Sequence, residues 1–187
     1  MLFKESVVTL HRELSRGFAS NDPADPPASA AALLLVPEWT QALRLQQSLS
    51  LMVVTVDHVR AFSGQYGREL AEARLLHIGE VLKATAGRAR DSVGRCSADA
   101  FMVLLPHTPA DGARAVAERC QRAIRAAQVE PLLTASFGAG TLIPRSEAGH
   151  SVFFNTVAQL SEDATRAGGD RILTRHFAHS RTGAMRG

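Results

Sequence analysis

The stretch Arg95-Cys96-Ser97-Ala98-Asp99-Ala100-Phe101-Met102-Val103-Leu104-Leu105-Pro106 decides the fold. Two short strands, around Ser92 to Cys96 and Ala100 to Pro106, lie close enough to close a hairpin across Ser97, Ala98 and Asp99. Upstream, Leu49 to Thr55 (LSLMVVT) has the apolar, β-branched character of a buried strand. The spacing of Leu75, Ile78 and Leu82, with Leu76 beside them, predicts a helix over Leu70 to Thr85, and Ala31 to Gln47 is a further helical stretch. Downstream come a helix over Ala110 to Ala127, a strand over Leu132 to Leu142 that includes Gly138 and Gly140, a helix over Val152 to Ala167 and a last strand at Arg171 to Leu173. The order β-α-β-β-α-β-α-β, interleaved around a hairpin, predicts an α/β sandwich with a mixed sheet.

The ends read differently. Phe3, Val7, Leu10, Leu14 and Phe18 recur at helical spacing, so residues 1–20 are expected to form an amphipathic helix whose stripe packs on its own domain, a second copy or a partner. Residues 21–30 (NDPADPPASA), with three prolines, read as a linker; residues 31–174 hold the domain, and 175–187 form a loose basic tail. A chain of 187 residues, 45% hydrophobic and 21% charged, is globular in balance rather than disordered or disulfide-built. The longest apolar run, Ala30 to Val36, is far short of the roughly 20 residues a membrane helix needs. Glu5 and Glu13 break the hydrophobic run a signal peptide requires, so the expected location is the cytoplasm, without membrane insertion. A net charge of +3 does not call for nucleic acid. Cys96 and Cys120 stand apart without a metal-binding spacing, and reduced thiols and no metal are expected.

The hairpin resembles the RxGGDEFxxLLP signature of the GGDEF (diguanylate cyclase) family, with SADAF in place of GGDEF. Three further segments keep register with it: VDHVRAFSGQYG at Val56 to Gly67 is similar to LDHFKxxNDxYG, LTASFGAG from Leu133 to VTVSIGVA, and AGGDRI at Ala167 to Ile172 to AGRNRV. The resemblance implies that family's sandwich, a central mixed, mostly antiparallel sheet flanked by helices. It also implies its chemistry, the joining of two GTP molecules into cyclic di-GMP with a metal held by carboxylates.

Carried over position by position, most of the active-site letters differ. The strand-one metal position is Thr55 and the loop's fourth letter is Ala100, leaving Asp99; the loop glycines are Ser97 and Ala98, each with a Cβ between backbone and phosphate. The phosphate-gripping cations fall on Thr165 and Gly169, and the guanine-reading Asn and Asp on Ser63 and Glu72. From these losses the expectation is an inactive cyclase, not an enzyme, with no Mg²⁺ required. Asp57 and His58 are adjacent, but leave a strand end in different directions and are set aside as an acid–base pair.

One motif is intact. The family's product-inhibition site is an RxxD placed nine and six positions before the first loop letter, which gives Arg88 and Asp91, and its distant Arg falls on Arg119. An Arg fork matches guanine O6 and N7, and a carboxylate accepts from the guanine N1–H and N2–H. Arg90 and Arg95 are candidates to stack on a purine, and Arg122 adds positive field. In an Arg-rich chain the same letters also read as an i, i+3 salt bridge on a solvated helix end. The resulting expectation is a cyclic di-GMP receptor that signals by changed association with itself or a protein partner, through the N-terminal helix or bridged by ligand. Exopolysaccharide, biofilm or motility control is the setting that the resemblance implies. The alternative from a different class is a ligand-independent interaction scaffold.

Overall fold

The computed structural model describes residues 29–127, 130–146 and 149–177. The expected N-terminal helix, most of the linker and the end of the tail lie outside the described residues. Ten elements follow in order: α1 (Ser29–Leu45), β1 (Leu49–Val56), α2 (Val59–Tyr66), α3 (Arg68–Ala86), β2 (Ser92–Arg95), β3 (Ala100–Pro106), α4 (Ala110–Ala127), β4 (Ala135–Leu142), α5 (His150–Arg166) and β5 (Ile172–His176). The five strands form one sheet in the order β2-β3-β1-β4-β5. All pairs are antiparallel except β4 with β5, which is parallel.

The central strand shows why the sheet is covered on both faces. Side chains alternate along a strand, so Met52, Val54 and Val56 enter one core with Phe101, Val103 and Leu105, beneath the apolar faces of α3 and α4. Leu49, Leu51 and Val53 enter the other with Met102 and Leu104, closed by Leu35 and Trp39 of α1 and by Phe153, Phe154 and Val157 of α5. Strands buried on both faces read as the continuous apolar runs seen in the sequence. β4 carries Gly138 because α5 lies directly on it: a Cβ there would stand 2.3 Å from the Val157 carbonyl oxygen.

Several boundaries and one element differ from expectation, among them the start of β4 at Ala135 instead of Leu132. Ser29 and Ala30, expected in the linker, open α1. Arg175 and His176, expected in the loose tail, belong to β5, which continues because its parallel ladder with β4 runs on to Thr141 opposite His176. α2 was not expected at all; it buries Phe62 alone, too little to leave a periodic signal over eight residues.

Candidate functional site

The RxxD letters sit where α3 stops. Gly87 adopts a left-handed conformation (φ 62°) and closes the helix with its N–H on the Lys83 carbonyl, a helix end for which glycine is suited. The chain then turns: the Asp91 N–H donates to the Arg88 carbonyl at 3.0 Å, and the Arg88 N–H donates back to Asp91 Oδ2 at 3.3 Å. The motif is thus a tight turn, closed by backbone and carboxylate rather than by a guanidinium–carboxylate ion pair. Arg88 remains exposed. Asp91 Oδ1 is buried and accepts no hydrogen bond from the described residues.

α4 brings the third member. Arg119 donates through Nε (3.2 Å) and Nη2 (2.9 Å) to the Thr85 carbonyl, one of the last-turn carbonyls of α3 that a helix leaves open. Burial pushes the Asp91 carboxyl above its ordinary value, opposed by the Arg88 N–H and by the nearby charges of Arg88 and Arg119. Arg88, Asp91 and Arg119 are therefore gathered at one corner from a loop and a helix. Arg90 lies in the same turn, its Nη1 bonded to His107 at 2.7 Å. Arg122 is exposed on α4.

Arg95 is not part of this corner, and its expected role as a stacking ligand is corrected. Its fork grips both carboxylate oxygens of Glu72 on α3, while Nε and Nη2 donate to the carbonyls of Ser97 and Ala98. One guanidinium thus ties α3 to the hairpin loop, and the hydrogen bond to Arg95 holds the Glu72 carboxyl below the usual carboxylate range. Within the loop, the Ser97 hydroxyl donates to Asp99 Oδ1 at 2.9 Å, and the Asp99 carbonyl accepts the Val56 N–H at 2.8 Å. Ala100 is buried at the start of β3.

At the end of β1, sequence reasoning missed the organising group. Asp57 is buried and accepts four hydrogen bonds, from Thr134 Oγ1 (2.7 Å), Ser136 Oγ (2.8 Å), Thr165 Oγ1 (3.0 Å) and the Asp170 N–H (2.9 Å). Thr165 and Gly169, positions where the resemblance places cations, instead wrap this carboxylate. Gly169 (φ 74°) passes so close that a Cβ would stand 3.0 Å from Asp57 Oδ2. Asp170 is held in turn by Gln121 and Arg125 of α4. Thr55 shares a 2.9 Å hydrogen bond with Ser161 of α5, and Ser63 lies half-buried on α2. His58 is exposed, whereas Asp57 is buried. The metal positions that the resemblance implies thus hold a hydroxyl bonded to Ser161 and a methyl group. Beside a single carboxylate, Asp99, they do not fit a hard divalent cation. Burial pushes the Cys96 thiol up to about 12 and that of Cys120 up to about 11, so neither is a thiolate at neutral pH.

The pattern of the diguanylate cyclase GGDEF domain matches residues 30–171. The chain belongs to the GGDEF domain family. Among curated proteins this GGDEF domain is similar to the diguanylate cyclase DgcP of Pseudomonas aeruginosa, 34% identical over 171 residues, which cover 87% of this chain and 25% of DgcP. It is 27% identical to the diguanylate cyclase DgcM of Escherichia coli over 73% of this chain and 33% of DgcM, so the chain spans about a quarter to a third of these relatives. Its fold matches the GGDEF domain of DgcB from Caulobacter crescentus, solved with cyclic di-GMP, at a TM-score of 0.71 and 15% identity over 78% of this chain and 88% of that one. It also matches an active GGEEF domain from Vibrio cholerae at 0.68 and 19% identity, over 76% and 92%. Both confirm the sandwich expected from the hairpin.

These relatives correct one expectation. The changed letters of the hairpin led to the assignment of a non-enzyme, yet the relatives that this GGDEF domain matches are named diguanylate cyclases, and the Vibrio cholerae neighbour is described as active. The non-enzyme assignment does not stand. No helix among the described residues is long and apolar enough to cross a membrane.

Proposed function

We propose that this GGDEF domain is a cyclic di-GMP receptor whose ligand binds at Arg88, Asp91 and Arg119, with Arg90 at the rim. The observation that carries the reading is Asp91 Oδ1, a buried acceptor without a partner among the described residues, near the positive charges of Arg88 and Arg119. Buried polar atoms are nearly always paired, so an unpaired one at a cationic corner marks a place for an incoming donor. Guanine supplies two, N1–H and N2–H, beside the O6 and N7 acceptors that an Arg fork matches, and the two phosphates of the dinucleotide suit the surrounding guanidinium groups. Support also comes from DgcB, which shares the fold and was solved with this dinucleotide. Signal output is a change in association with a second copy or a protein partner, in the control of exopolysaccharide, biofilm or motility.

Calorimetric titration with cyclic di-GMP tests the reading. Micromolar or tighter binding that Arg88→Ala weakens about 30-fold supports it, a loss of about 2 kcal/mol for one charge-assisted contact pair. A silent titration removes the receptor and leaves the ligand-independent scaffold.

A further inference from the structure

The turn that carries Arg88 and Asp91 has a neighbour that the sequence did not advertise. β2 begins at Ser92 opposite Leu104, so the residues just before Ser92 run beside the end of β3. There, His107 follows Pro106 with a left-handed backbone (φ 54°), a conformation in which histidine is one of the more tolerated side chains. Its Nε2 lies 2.7 Å from Arg90 Nη1, bridging positions 17 apart in sequence.

The chemistry of this contact has one solution. A guanidinium has five donors and no acceptor, so Nε2 must present its lone pair and the ring must be neutral, with its proton on Nδ1. Arg90 is exposed and adjoins Asp91 in the chain. An unheld arginine there has a flexible stem and is drawn to the nearest carboxylate, and Asp91 Oδ1, though buried, has no partner among the described residues. Bonded to His107, the guanidinium is fixed beside the site, and Oδ1 accepts nothing.

We infer that His107 is a positioning residue of the cyclic dinucleotide site: its Nε2 holds the Arg90 guanidinium beside the turn and leaves Asp91 Oδ1 unpaired for guanine. The inference rests on the receptor reading and adds a residue to it. Its energetic origin is pre-organisation, since a side chain already ordered has less freedom to lose on binding.

The test compares wild type, His107→Met and His107→Gln by calorimetry with cyclic di-GMP at pH 7.5. Methionine matches glutamine in length but offers only a weak acceptor, whereas glutamine places an amide oxygen near the position of Nε2. The expected result is a loss of about tenfold in affinity for His107→Met and recovery to within about twofold for His107→Gln. Arg90→Ala is expected to lose the same tenfold, with no further loss when combined with His107→Met, and it supplies the measurement if the methionine variant unfolds. A ligand-free readout stands beside these: nitrogen NMR of the wild-type ring should show the Nδ1–H tautomer. Binding by wild type that His107→Met and Arg90→Ala leave unchanged overturns the role of His107 alone. Rescue failing in His107→Gln, or an Nε2–H tautomer, also overturns it. Silence of the wild type overturns the receptor reading itself, and this inference with it.

Discussion

Glu72, in the first turns of α3, and Asp91, just past its end, are both carboxylates, and the fold treats them in opposite ways. Glu72 faces an arginine fork that fills both its oxygens and holds its pKa down. Asp91 is drawn into the protein with one oxygen unpaired, and burial pushes its pKa up although two arginines are near. Around Glu72 and the end of β1, charges and hydroxyls find partners inside the chain: Arg95 with the loop carbonyls, Ser97 with Asp99, Thr55 with Ser161, Asp57 with four donors. At the α3 exit, donors and an acceptor are left over. Groups paired internally maintain shape; groups left open by a folded chain are available to something else.

If that contrast is sound, substitutions in the paired region change stability without touching ligand affinity, and those in the open corner do the reverse. The largest effect is expected at Asp57. Asp57→Ala strands three hydroxyls and an N–H in a buried site, costing about 3 kcal/mol, or about 6–12 °C in Tm by scanning calorimetry. The folded fraction should still bind cyclic di-GMP as wild type does. Arg119→Ala should weaken binding about 30-fold, roughly 2 kcal/mol, while Tm moves by no more than about 3 °C. A large fall in Tm without loss of binding would place Arg119 among the structural groups instead.

Smaller effects sharpen the opposition of the two carboxylates. Glu72→Gln should cost about 0.5–1 kcal/mol at neutral pH, a modest figure because the pair is partly exposed and screened. With its folded-state pKa lowered, Glu72 stabilises fully above the ordinary carboxylate range, and this is lost as pH falls through the lowered value. The Tm gap between wild type and Glu72→Gln should therefore hold at neutral pH and close in acid, below about pH 4. Asp91 has the opposite sign. Its raised pKa makes its contribution greatest in acid and lost as pH rises through the raised value, so Asp91→Asn should lift Tm by about 1–3 °C at pH 7 while weakening the ligand. A lower Tm for Asp91→Asn at pH 7 would show that the carboxylate is there to hold the turn.

How much of this was legible in the sequence depended on the range of the interaction. The strands were readable because β1 and β3 are buried on both faces and their letters are apolar but for Ser50 and Thr55 of β1. α2 was not, since Phe62 alone gives no period. RxxD was visible as spacing, but its closure by the Arg88 backbone N–H is not written in the side chains. Arg95 was misplaced because its true partner, Glu72, lies 23 positions away on another element. Asp57 stood in a recognisable segment, yet its four donors come from three later parts of the chain. His107 escaped notice for the same reason, its partner being fixed by strand register rather than local pattern.

The claim on which the rest depends is that the dinucleotide chooses the open corner. An amide NMR titration of the full chain with cyclic di-GMP reads this residue by residue. The account predicts that shifts concentrate in Gly87 to Ser92, at His107 and around Arg119, with Ser97 to Ala100 nearly still. Shifts centred on Ser97 to Ala100 and Glu72, or none at saturating ligand, would contradict it.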